Sequence, residues 1–330
     1  MIHIRVDRFR QLRDIEMELE NITIVEGWSC AGKTNLIEAI AIMSSALHRS
    51  VDDNALRWRG VRPGLAAPLK GSIRYQSVSN LTYHVTLGHD GRGHFFFATE
   101  LLSSSNPDIR VWRKPTMNIP SDVSYVAMAA RYGKIWQQQK YYLEIMSGFR
   151  VINDGASGLR AARPTNYPDI TPIIGREPLE HTIRYVLEEC ERSKSAKDFL
   201  QYVLEWNVIR DVRLSDDALP KVQLTLHNDV TIEFLESSLG YHAQKSLFGT
   251  FAAIRMGENG FYAIDDFTHY FQAQPKYLVG LHDYACEARQ HVVVPSLSRY
   301  PLDILQGKQG VRGYKLVKHI DGTVGIKEIV

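Results

Sequence analysis

Long apolar runs are missing from this sequence. No stretch approaches the ~18–20 residues that a membrane-crossing helix needs. The first ten residues, MIHIRVDRFR, alternate apolar with charged side chains and lack the apolar core of a secretory signal. Both features predict a cytoplasmic protein with no membrane partner. Cysteine is scarce: Cys30, Cys190 and Cys286 are odd in number and far apart, which excludes a disulfide framework. No CxxC or HxxxH pair is available to hold zinc. Charge of one sign is missing too. The 39 Lys and Arg against 37 Asp and Glu leave +2, too little to argue for nucleic acid by itself. No G-x-S-x-G nucleophile context, internal repeat or sustained heptad occurs. With 44% apolar and 23% charged residues the composition is that of an ordinary folded protein, not a disordered one.

The length of 330 residues suggests about two domains, or one domain with a large insertion. Ile2, Ile4 and Val6 alternate with polar residues and predict a strand with one buried face. Residues 15–19 predict a second strand paired with the first, and NITIVE a β-branched third. Leu36, Ile37, Ile40 and Met43 then repeat at helical spacing. Short strand-like runs such as TYHVTL and HFFFA fill residues 71–127. Between 131 and 215 the pattern turns helical (WQQQKYYLEIM, LEHTIRYVLEEC, AKDFLQYVLEWNVI), with a Gly- and Pro-containing loop at 153–172. The stripes Tyr141, Ile145 and Ile183, Val186, Leu187 read as the core of these helices. Strands and helices then alternate to the end, closing with YKLVKH and TVGIKEIV. The predicted class is α/β: a P-loop core with an antiparallel side sheet and a helical insertion. Its parts are 1–130, an insertion or lid at 131–215, and 216–330.

Gly27-Trp28-Ser29-Cys30-Ala31-Gly32-Lys33-Thr34 matches G-x-x-x-x-G-K-[ST]. Backbone N–H groups of such a loop curl around phosphates, its glycines permit the turns, and the following helix adds its positive end. Lys33 would neutralise the β- and γ-phosphates of ATP, and Thr34 would ligate Mg²⁺. With Gly near 7% of residues, the pattern arises by accident in roughly one chain of this size per hundred. The strand before it and the helix after it sharpen the odds against a plain glycine turn.

The opening Arg8-Phe9-Arg10-Gln11-Leu12-Arg13-Asp14 and the segment ITIVEGWSCAGKTNLIEAI, with Asn35 after the loop, resemble the ABC-type ATPase heads of the RecF/SMC/OLD-like superfamily. The resemblance covers the first ~50 and last ~110 residues. It implies an ABC-ATPase-head fold binding ATP and Mg²⁺, with Ser29, Cys30, Ala31 and Asn35 joining the nucleotide contacts. Ser237-Ser238-Leu239-Gly240 falls at the signature loop, so Ser238 and Gly240 would contact nucleotide. FYAIDDF falls at Walker B, where Asp265 would serve the metal and Asp266 would be the general base.

Departures from the family pattern concentrate in the hydrolytic half. Tyr241 and His242 crowd the surface after the signature glycine. Asp266 stands where the family has Glu, one methylene longer. Thr268, His269 and Tyr270 are unlike the family's next loop, and Leu297 replaces the switch histidine. Each residue also has a plainer reading: Asp265 as a solvated strand-end carboxylate, Ser238 as a helix cap, His242 and His269 as surface residues. Arg57-Trp58-Arg59 with Arg62, and Arg110-Val111-Trp112-Arg113-Lys114, interleave cations with tryptophan as nucleic-acid surfaces do. Solvated charge beside a packed Trp is the plainer alternative. The short stretch after Asp303 leaves this chain no room for the metal nuclease of OLD-type relatives, and the insertion lacks the heptads of long SMC-like arms. The resemblance implies a homodimer or larger homo-oligomer, a separate effector protein, and a setting in antiviral defence or DNA repair. Contact with DNA stays open. The rival is a pseudo-ATPase scaffold without turnover; a P-loop kinase is disfavoured, since no Arg-rich lid is evident.

Overall fold

Alternating apolar side chains turn the N-terminus into a hairpin. The computed structural model describes residues 1–47, 51, 67–76, 80–89, 95–105, 110–113, 122–132, 137–152, 179–217, 221–234, 241–265 and 275–329. In it β1 (Ile2–Phe9) pairs antiparallel with β2 (Leu12–Leu19), Ile2 opposite Leu19 and Phe9 opposite Leu12. Ile2, Ile4, Val6 and Phe9 are fully buried, so the alternation read from the sequence is the face packed on the core. After β3 (Ile22–Glu26) and α1 (Lys33–Ala46), four antiparallel strands extend the hairpin. They are β4 (Leu69–Tyr75), β5 (Leu81–His89), β6 (Phe95–Ser103) and β7 (Arg110–Trp112).

The chain continues through α2 (Tyr125–Arg131), α3 (Gln137–Ser147) and β8 (Arg150–Ile152). Two amphipathic helices follow, α4 (Leu179–Arg192) and α5 (Lys194–Trp206). A three-stranded antiparallel sheet is built from β9 (Ile209–Leu214), β10 (Val222–Leu226) and β11 (Thr231–Glu233). Then come α6 (Tyr241–Arg255), β12 (Phe261–Ile264), α7 (Pro275–Glu287), β13 (His291–Ser296), α8 (Tyr300–Ile304), β14 (Val311–Lys318) and β15 (Val324–Glu328).

Among the described residues one large sheet runs β7-β6-β5-β4-β1-β2-β15-β14-β3-β13-β12-β8. Its second half is parallel, with β14, β3, β13, β12 and β8 side by side. Strands buried on both faces need apolar side chains on both, which is why β3 and β13 read as continuous apolar runs. Val25 and Val293 face one core, shared with α1 and α3; Ile22, Ile24, Val292 and Val294 face the other, shared with α4 to α7. Each such Val, Leu or Ile contributes about 1.5–3 kcal/mol by burial. The expected side sheet is thus continuous with the parallel core: Val324 of β15 pairs with Leu12 of β2, and its N–H donates to the Gln11 carbonyl at 2.8 Å.

The span 131–215 carries more than the expected helices. Its β8 is an edge strand of the main sheet, parallel to β12, and Ile145 packs in the same core as α1. Ile183 and Val186 belong to the opposite core, so the two stripes do not form a core of their own. Tyr141 is exposed at 48%, its hydroxyl accepting from Asn259 Nδ2 at 2.9 Å. The helical reading of AKDFLQYVLEWNVI also overran. The Asn207 side chain donates to the Val203 carbonyl at 2.7 Å, and Val208 takes φ +59°. A left-handed residue cannot continue a right-handed helix, so Ile209 starts a strand instead. The expected loop at 153–172 lies outside the described residues.

Candidate nucleotide-binding site

The carboxyl end of β3, which lies between β14 and β13 in the parallel set, opens directly into the glycine-bearing loop. Gly27 N–H donates to the Ser296 carbonyl at 2.9 Å, tying the loop's first residue to the end of β13. Ala31 N–H donates back to the Trp28 carbonyl at 3.0 Å, and Leu36 N–H to the Gly32 carbonyl at 2.9 Å. Cys30 sits at φ +62° and Gly32 at φ +95°. Left-handed residues let a loop of this kind curl its backbone into an anion-binding concavity. At Gly32 a Cβ would also stand 3.0 Å from Gln11 Nε2 and 3.3 Å from Leu12 Cδ2, so glycine is needed twice over.

The helix that follows leaves its positive end open. Its cap, Gly32, has no side chain to bond the first N–H groups, and no acidic residue lies in the first turn. Those donors and the helix dipole therefore act on whatever anion enters the loop. Lys33 curls back over the loop, its ammonium donating to the Gly27 carbonyl and to the Trp28 carbonyl at 2.9 Å. Neutral carbonyls hold a cation more weakly than phosphate oxygens do, so the ammonium is positioned for exchange.

A cavity of about 370 Å³ opens above the loop, lined by residues 29–35, Gln11, Asp265, Pro295 and Leu297. It falls within the ~300–1,000 Å³ of small-molecule pockets. Asp265 reaches it because β12 is parallel to β13 and ends beside it; Asp265 N–H donates to the Ile152 carbonyl of β8 at 2.9 Å. Leu297 and Pro295 reach it from the end of β13. A hydroxyl at Thr34 and a carboxylate at Asp265 suit a hard cation such as Mg²⁺, which takes few protein ligands and keeps water and phosphate oxygens for the rest. A lysine and the uncapped start of α1 suit the phosphates. The residues present therefore fit ATP with Mg²⁺.

The geometry gathers Ser29, Cys30, Ala31, Gly32, Lys33, Thr34, Asn35 and Asp265 in one place, with Gly27 at the loop's root. Asn35 is engaged by the protein itself: its Oδ1 accepts from Arg10 at 2.6 Å. Asp266, Ser238, Gly240, Thr268, His269 and Tyr270 lie outside the described residues, as do Arg57 to Arg59 and Arg62. Tyr241 and His242 open α6. Sequence reasoning missed Gln11, which lines the cavity and approaches the Cys30 carbonyl at 3.5 Å, and missed Arg10 as the group that orients Asn35. The signal was the tight turn between β1 and β2, where Arg10 takes φ +49° and aims the hairpin end at the loop.

The strand–loop–helix geometry is that of a P-loop within a mixed α/β fold. Neither a protein-family model nor a curated protein matches the chain. Solved structures similar to it include the SMC head domain from Thermotoga maritima, at 10% identity and a TM-score of 0.48, covering 99% of this chain and 98% of that one. Another is the Smc head domain of Pyrococcus furiosus with an extended coiled coil, bound to the C-terminal domain of ScpA. It shows 9% identity and a TM-score of 0.46, covering 100% of this chain and 96% of that one. Among the described residues no helix is long and apolar enough to cross a membrane.

Proposed function

We propose that the chain binds ATP with Mg²⁺ as an ABC/RecF-like ATPase head whose hydrolysis is slow or impaired, serving as a nucleotide-dependent sensor or scaffold. The observation that carries this reading is the single cavity uniting the phosphate loop, Thr34 and Asp265. Loop N–H groups and Lys33 hold the phosphates, while Thr34 and Asp265 hold the cation. Bound ATP with Mg²⁺ supplies the γ-phosphate for transfer to water. Asp266 is the proposed base, and Ser238 and Gly240 the proposed contacts to nucleotide held by a second copy. A homodimer or larger homo-oligomer follows from that arrangement, and a separate effector protein would carry the output. Antiviral defence or DNA repair is the setting that the sequence resemblance suggests.

A second reading has its own observation. Leu297, on the cavity wall, has no polar atom to sense a γ-phosphate. That favours a pseudo-ATPase subunit which holds nucleotide, or only its effector, without turnover. Calorimetric titration of ATP–Mg²⁺ tests what both nucleotide-binding readings share. Lys33→Ala should weaken binding at least tenfold, about 1.4 kcal/mol. Unchanged affinity in that variant retires the phosphate-loop assignment.

A further inference from the structure

The outer face of the antiparallel strands, turned away from α1, holds a second groove of about 350 Å³ that shares no lining residue with the nucleotide cavity. Its floor follows from register. Ser72, His84, Leu101 and Trp112 lie opposite one another across β4, β5, β6 and β7, and Lys70, Thr86 and Thr99 form the next row. Gly71, between Lys70 and Ser72, faces inward: a Cβ there would stand 2.8 Å from Met43 Sδ of α1. The two rows therefore lie on the opposite face of the sheet, where Lys70, His84, Thr99 and Trp112 are exposed.

Trp112 decides what the groove takes. The plainer reading of the Arg110–Lys114 run requires a packed tryptophan, but Trp112 is 42% exposed on a strand that, among the described residues, is at the sheet edge. The Arg110 guanidinium sits 4.9 Å from the centre of its ring. Lys70 and Arg110 supply charge, and Thr86 and Thr99 supply hydroxyls. Two carboxylates line the groove. Glu100 is buried and bonded by the Tyr83 and Ser124 hydroxyls and the Tyr125 N–H. The half-buried Asp7 is paired with Arg5 Nε at 2.6 Å and Lys70 Nζ at 3.6 Å. A flat aromatic platform beside cations and hydroxyl donors matches a ligand with an unstacked planar base and a phosphate.

We propose that this groove binds a nucleotide unit whose base is unpaired, stacked on Trp112, with its phosphate held by Lys70 and Arg110. The source is a single strand of nucleic acid or a free nucleotide. A duplex is excluded as a partner at this point, because its bases are already stacked on one another and cannot reach the ring.

The test uses the full chain and a fluorescein-labelled oligothymidylate, followed by anisotropy at low salt. Trp112→Ala should weaken binding about tenfold, the usual cost of losing one stacked base. Trp112→Phe should restore most of it, which a merely structural role of the edge strand would not produce. Arg110→Ala should weaken binding and flatten its salt dependence. Lys33→Ala, which disables the other cavity, should leave strand binding unchanged. Calorimetric binding of AMP, with no binding of the oligonucleotide, identifies the free nucleotide as the occupant, provided Trp112→Ala abolishes it and Lys33→Ala does not. Binding indifferent to Trp112→Ala, binding lost with Lys33→Ala alone, preference for a hairpin duplex, or no binding of either probe each overturns the proposal.

Discussion

Arg10, at the β1–β2 turn, and Glu38, on the inward side of α1, form an ion pair whose carboxylate keeps only 6% of its side chain exposed, against 21% for the guanidinium. The same guanidinium bonds Asn35 Oδ1 at 2.6 Å. One buried pair thus fixes the hairpin end to the first helix, and with it the position of Gln11 on the cavity wall. The pair is asymmetric. Losing Glu38 leaves an Arg that can turn to solvent, while losing Arg10 strands a carboxylate inside. Arg10→Ala should therefore destabilise by about 3 kcal/mol and Glu38→Ala by less. Arg10→Met combined with Glu38→Leu should recover most of the loss. Urea denaturation midpoints of the four proteins check the order, and equal losses from the two single changes would argue against it.

The phosphate loop was legible because its chemistry demands fixed residue types at fixed spacing, and the flanking elements were legible from periodicity. Leu297 was readable as a departure for the same reason. What the sequence could not display is pairing between distant strands. β8 is three residues long, too short for a periodic signal, yet it ends beside Asp265. β14 was visible as a strand, but nothing in its own residues says that it lies parallel to β3, on the other side from β13. Gln11 gained its place only through the hairpin that Arg10 aims. The reading of Trp112 rested on whether its ring is packed, a matter settled by an edge position in the sheet and not by its neighbours in sequence.

Close approach of α7 to α5 gives another expectation. A Cβ at Gly280 would lie 2.8 Å from Phe199 Cδ2. Phe199 cannot retreat, being 1% exposed and edge-on to Tyr277 at 5.0 Å. Alanine gains about 1 kcal/mol of helix propensity over glycine, but overpacking costs ~1–3 kcal/mol. Gly280→Ala should be net destabilising, and Gly280→Ala with Phe199→Leu should be less so than the two single losses added. Additive losses in a double-mutant cycle would show that the contact does not couple the two helices.

Stability should also depend on pH through His282. The Cys286 thiol at 3.4 Å, the Gln309 carbonyl at 2.8 Å and the Asp283 carboxylate at 2.9 Å together hold its proton, against burial, to about 9. Lys308, also paired with Asp283 at 2.8 Å, completes the charged groups around it. A raised pKa in the folded state means that this stabilisation is complete below ~6.5 and is lost as pH rises through about 9. His291 works in the opposite sense. Burial drives it down to about 4, so its contribution is complete above ~6.5 and is lost as pH falls toward 4. Thermal unfolding between pH 6 and 9.5 should show a decline in the wild type that is flattened in His282→Gln. A parallel decline in both would place the titrating group elsewhere.

Hydrolysis separates the two functional readings. If Asp266 occupies the base position, its carboxylate stops roughly 1.5 Å, one carbon–carbon bond, short of where a glutamate would hold the attacking water. Misplacement of about 1 Å can cost ~10²-fold in rate. Leu297, on the cavity wall, adds the loss of any polar contact to the γ-phosphate. The wild type should then bind ATP–Mg²⁺ yet turn over slowly. Asp266→Glu should raise the rate of phosphate release, and the double change with Leu297→His should raise it further, with ATP affinity little altered. Fast wild-type hydrolysis with no gain in either variant would mean that the base lies elsewhere. Bound ATP with no hydrolysis in any of the three would leave the scaffold, since restoring the two missing groups would not have restored the chemistry.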